Sequence, residues 1–72
     1  MKHIWLGGDV LNLRKIRKRK GLTQEQLAQL SHIHRVSIAR YETGKVNPNV
    51  DSLKRLAVAL NVTTDELLGE SA

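Results

Sequence analysis

Residues 21–48 read GLTQEQLAQLSHIHRVSIARYETGKVNP, and they follow Arg14–Lys20, seven residues of which only Ile16 is not basic. The stretch holds two short runs with the apolar spacing of helices, joined by a tight turn. Thr23 and Gln26 form a capping box at the start of the first run, with Leu22 and Leu27 as its hydrophobic staple. The second run begins after Ile33, whose staple partner is Ile38, and stops at Gly44. Ile38 and Tyr41 point to the core. Val36, Arg40 and Thr43 recur at i, i+4, i+7 on the opposite face. A lone apolar residue on an outward face is ordinary on any surface. Among these polar neighbours, behind a basic segment, Val36 stands where a thymine methyl would meet a helix lying in the major groove.

The flanking sequence supplies three more helices. Leu11, Leu13 and Ile16 give the first an apolar stripe, with Asp9 expected as its cap and Gly21 as its left-handed stop. Asn49 caps the fourth, which turns Leu53, Leu56, Ala57 and Leu60 inward and ends at Asn61. The fifth repeats the capping box with Thr63 and Glu66 and the staple with Val62 and Leu67, and closes at Gly69. No β-rich run, internal repeat or low-complexity tract competes. The expected fold is all-α, five short helices around one core, with residues 1–9 a flexible arm, 10–69 the domain and 70–72 a tail.

A 72-residue chain makes one domain with a small core. It has no cysteine, so neither a disulfide nor a thiolate metal site contributes. The apolar cluster Ile4-Trp5-Leu6 is cut short by Gly7, Gly8 and Asp9, too soon for a signal peptide or a membrane span, which leaves a cytoplasmic protein as the default. The net charge of +5 is unevenly spread. From Arg14 to Lys45 nine basic residues face only Glu25 and Glu42, a balance of +7, whereas Val46–Ala72 carries −2. One side of the protein suits a polyanion and the other does not.

Beyond these local features, the chain resembles the lambda-repressor-like helix-turn-helix family, the Cro and XRE-type repressors. The resemblance covers Val10–Leu68 through GLTQEQLA, SIARYETGKVNP and LAVALNVTTDELL, in order and at family spacing. It implies a five-helix DNA-binding domain in which Ala28 lies where the two central helices cross. Ile33 and Ile38 fix their angle, and Gln24 opens the positioning helix. It implies a recognition helix over Arg35–Thr43 with Arg35, Val36, Ser37 and Arg40 directed at base edges, and an ion pair between Arg17 and Glu42. Two positions depart from the family pattern. His32 stands where a glycine with positive φ is usual, and His34 where serine or threonine caps the recognition helix.

Residue chemistry fits that assignment. The planar guanidinium fork of Arg35 or Arg40 matches O6 and N7 of guanine, Val36 suits a methyl group and Ser37 an adaptable hydrogen bond. Gln24, at a helix N-terminus, together with Lys18, Thr43, Lys45 and Asn47 is expected to meet phosphates, which position a protein without specifying sequence. His32 and His34 have no supporting carboxylate or cysteine cluster for a metal and read as structural. No cofactor is implied. An enzyme is disfavoured, because there is no cysteine nucleophile, no phosphate-loop context for Gly7-Gly8 and little core to hold a pocket. RNA binding lacks a stacking platform, since Tyr41 reads as core and only Trp5 remains. The expected partner is double-stranded DNA, bound as a weak homodimer. The alternative is an antitoxin-like protein-interaction module in which DNA binding is secondary.

Overall fold

The computed structural model describes residues 12–69. Five helices run in order: α1 (Leu13–Arg19), α2 (Gln24–Ser31), α3 (Arg35–Thr43), α4 (Val50–Leu60) and α5 (Thr64–Leu68). Among the described residues there is no strand. No helix there is long and apolar enough to cross a membrane.

Each boundary has a local cause. The Thr23 hydroxyl accepts from the Gln26 backbone N–H at 3.0 Å while the Gln26 side chain accepts from the Thr23 N–H at 2.9 Å. Thr63 and Glu66 build the same reciprocal pair at α5. Asn49 Oδ1 accepts from the Ser52 N–H at 2.8 Å, satisfying an orphan donor of α4. The chain leaves α1 through Gly21 at φ +76 and α3 through Gly44 at φ +79, a conformation that costs glycine nothing. His32 (φ +60) and Asn61 (φ +59) end α2 and α4 in the same left-handed region. Asparagine visits it readily. For His32 the strain is of order 1 kcal/mol.

The first helix departs from expectation at its start. Its N-cap is Asn12, not Asp9, which with Leu11 lies outside the described residues. Asn12 makes no side-chain cap because its amide is used elsewhere: Nδ2 donates to the Glu66 carbonyl at 3.2 Å, and its backbone N–H donates to the Leu67 carbonyl at 2.9 Å. These two bonds satisfy carbonyls at the end of α5 and tie the beginning of the domain to its end.

The core takes a contribution from every helix. Leu13, Leu27, Ile38, Leu56, Leu60 and Leu67 are fully buried, with Ile16, Tyr41 and Ala57 nearly so. Leu22, Ala28, Ile33, Leu53 and Val62 pack around them, so both residues of each expected staple join one cluster. Truncating any of the largest to alanine costs about 2–5 kcal/mol, a sizeable share of a small domain's stability. No helix therefore stands without the others. Val36, Leu30, Val46, Val50 and Val58 remain exposed, whereas Leu68 is half-buried.

Candidate nucleic-acid interface

The outer side of α3 is held in place by a polar node buried behind it. Arg17 of α1 donates to Glu42 of α3 twice, from Nε to Oε2 at 2.6 Å and from Nη2 to Oε1 at 3.1 Å. Its remaining nitrogen, Nη1, donates to the Leu22 carbonyl at 2.8 Å, and Gln24 of α2 donates from Nε2 to Glu42 Oε1 at 3.0 Å. Both charged side chains are almost wholly buried, 9% and 4% exposed. The hydrogen bond to Glu42, aided by Coulombic attraction, raises the Arg17 pKa above its ordinary value against the opposing effect of burial. One carboxylate thus gathers donors from α1 and α2 onto α3 and leaves the outer face of α3 without an exposed negative charge of its own.

That outer face carries Val36, with 55% of its surface exposed, beside exposed Arg40 and Thr43. Arg35, Val36, Ala39, Arg40, Thr43 and Lys45 line one shallow depression. A second depression, sharing Ala39 and Thr43 with the first, runs back to Arg14, Arg17, Gln24 and Glu42. The two make a continuous surface from α1 across the start of α2 to the end of α3.

The remaining site residues fall around this surface. Arg35 is exposed, its Nε 3.7 Å from Glu25 Oε1 in a loose pair of two solvated side chains. Such a pair is worth little and is easily exchanged for another anion. Ser37 is half-buried and is not among the residues that line the depression. Gln24 is half-buried with one of its two amide protons engaged by Glu42, which orients the side chain. The Thr43 hydroxyl donates to the Arg40 carbonyl at 3.2 Å and keeps its lone pairs. Lys18, Lys45 and Asn47 are exposed. Arg14 is an exposed cation on this surface that sequence reasoning passed over, although it lies three residues before Arg17 and so on the same side of α1.

His34 is the N-cap of α3 and makes no side-chain cap bond, so the first turn of the helix holding Arg35 and Val36 lacks that anchor. Among the described residues no group of three or more histidines and carboxylates is arranged to hold a metal.

The sequence model of the family described as helix-turn-helix matches residues 13–67, which take in the node and all five helices except the last residue of α5. The chain belongs to the helix-turn-helix family. As a helix-turn-helix domain it is similar to the HTH-type transcriptional activator BcrR of Enterococcus faecalis, at 46% identity over 56 residues, or 78% of this chain. It spans only 28% of the length of BcrR. The restriction-modification controller protein C.AhdI from Aeromonas hydrophila shares its structure with a TM-score of 0.74 and 38% identity, over 76% of this chain and 83% of C.AhdI. The P22 c2 repressor, solved in complex with a synthetic operator, matches with a TM-score of 0.78 and 28% identity, over 94% of this chain and all of that one. The lambda-repressor-like architecture expected from the sequence is therefore the observed one.

Proposed function

We propose that this chain is a sequence-specific double-stranded-DNA-binding transcriptional regulator, acting in the cytoplasm as a repressor, with α3 in the major groove. The observation that carries it is the exposed face of α3. Val36, Arg40 and Thr43 share it with Arg35 and Lys45, while the one carboxylate of that helix is neutralised by Arg17. An apolar group flanked by guanidinium forks matches base edges, where thymine offers a methyl group and guanine two acceptors. The P22 c2 repressor, solved with operator DNA, supports a DNA-binding repressor over nearly the whole chain, while BcrR, named a transcriptional activator, supports a transcriptional regulator but not the sign of its action.

In this account Arg35, Val36, Ser37 and Arg40 read bases, with Arg40 the principal reader and Ser37 a flank contact. Lys18, Thr43, Lys45 and Asn47 meet phosphates, joined by Arg14 and by the second amide proton of Gln24. Arg17 and Glu42 hold the three helices in register. A single recognition helix spans only a few base pairs, so the regulator pairs as a weak homodimer on a two-fold site with half-sites one helical turn apart.

The test is a binding titration of random duplex DNA, single-stranded DNA and RNA at two salt concentrations. Duplex should bind best, with log K falling against log salt by about 0.9 for each phosphate neutralised. Binding indifferent to salt, or preferring single strands, would overturn the assignment.

A further inference from the structure

Leu30, near the end of α2, and Val58, near the end of α4, are 55% and 80% exposed, and they line one groove with Ser31, His32, Lys54 and Arg55. The groove holds about 530 Å³, its lining is mostly apolar, and it carries two cations and no carboxylate. Arg55 is turned toward the end of α2, where its Nη1 donates to the His32 carbonyl at 3.4 Å. A space of this size takes an aromatic side chain together with a neighbour. None of its residues belongs to the surface assigned to DNA.

The segment Ile4-Trp5-Leu6, which precedes α1 and has no part in that surface, supplies matching chemistry. Three large apolar side chains in a row favour a place out of water, and the face of an indole attracts cations such as Lys54 and Arg55. The tether of this segment is fixed. The Asn12 N–H donates to the Leu67 carbonyl at 2.9 Å and its Nδ2 to the Glu66 carbonyl at 3.2 Å, so the segment departs from the end of α5. From Leu67 back to Val58 the chain runs through α5, the Asn61 turn and the last turn of α4, roughly 20 Å in all. Because α5 packs on α4, the straight line is shorter. The seven residues from Trp5 to Asn12 extend to about 23–25 Å, enough to reach the groove, and Gly7-Gly8 lets the chain turn on the way.

We propose that Ile4 and Trp5 occupy the Leu30–Val58 groove of their own chain, with the indole against Val58 and beside Lys54 and Arg55. The contact extends the small core across the ends of α2 and α4, next to the His32 turn that leads into α3. It does not depend on the DNA assignment.

Trp5 is the one tryptophan of the chain, so its fluorescence reports this contact. In the full chain its emission should lie to the blue of that of the free peptide Met1–Asp9 and resist quenching by acrylamide, at every protein concentration. Leu30→Gln combined with Val58→Gln should return both readings to those of the peptide, while the helical circular dichroism stays that of the parent. Both positions are exposed, and glutamine forms helix about as well as leucine and better than valine, so helix propensity gives this variant no reason to melt early. It should still melt lower by roughly 5–10 °C, as should Trp5→Ala, and joining all three changes should lower Tm no further. Emission matching the free peptide in the parent chain, a blue shift that survives the groove variant, one that fades on dilution and so belongs to a second copy, or additive losses in Tm would each overturn the inference.

Discussion

Arg17 and Glu42, 25 residues apart in the chain, meet through two hydrogen bonds of 2.6 and 3.1 Å inside a node that also holds Gln24 and the Leu22 carbonyl. The pair fixes the first helix against the third with almost no access to water. Its net contribution to stability against an apolar pair is small, but a lone survivor is costly, because a buried charge is left without its partner. Arg17→Ala is expected to destabilise the domain by up to about 3 kcal/mol, which for a domain of this size lowers Tm by roughly 10–20 °C. Lys18→Ala, at an exposed neighbour, should leave the melt almost unchanged. Thermal melts of the two variants side by side decide it, and equal curves would make Arg17 one more solvated charge.

His34 caps α3 without a side-chain hydrogen bond. Replacing it with a residue that makes one, as in His34→Thr, should stabilise the domain by about 0.5–1 kcal/mol through an orphan N–H of the first turn. A denaturant midpoint that does not rise would mean that this turn is already satisfied by other means.

The strain at His32 is separable from the cap. His32→Gly relieves a left-handed residue but adds freedom to the unfolded chain, so the expected gain is small, about 0.5 kcal/mol. His32→Val, β-branched at the same φ, should lose more than 1 kcal/mol. Similar midpoints for glycine and valine would contradict a backbone requirement at this turn.

Assembly on DNA is expected to follow two-fold geometry. Sedimentation of the protein alone should show mostly monomer, and a duplex with two half-sites one turn apart should carry two protomers. Strict one-to-one binding, with a lone half-site bound as tightly as the pair, would rule the dimer out.

Much of this was written locally in the chain. Thr23 with Gln26, Thr63 with Glu66 and Asn49 before Val50 mark helix starts by side-chain chemistry that acts over three residues, and each made the bond its type allows. What escaped the sequence was tertiary. Asp9 looked like the better cap for the first helix, but Asn12 begins it because its amide and backbone are held by the end of α5, more than fifty residues away. Gln24 is a natural phosphate donor by position, and only the folded chain brings Glu42 within 3.0 Å of its amide. Arg14 was legible from its spacing to Arg17, yet its closeness to Thr43 required the packing of α1 against α3.

The central claim, that the exposed face of α3 reads bases, is tested most directly by selecting bound sites from a random duplex library with the parent protein, Arg40→Ala and Lys45→Ala. The parent should return one preferred sequence. Arg40→Ala should lose preference at a single base pair and bind the parent's site more weakly by about 1–3 kcal/mol, while Lys45→Ala should keep the whole preference at uniformly lower affinity. An unchanged preferred sequence from Arg40→Ala, with full affinity, would contradict the account.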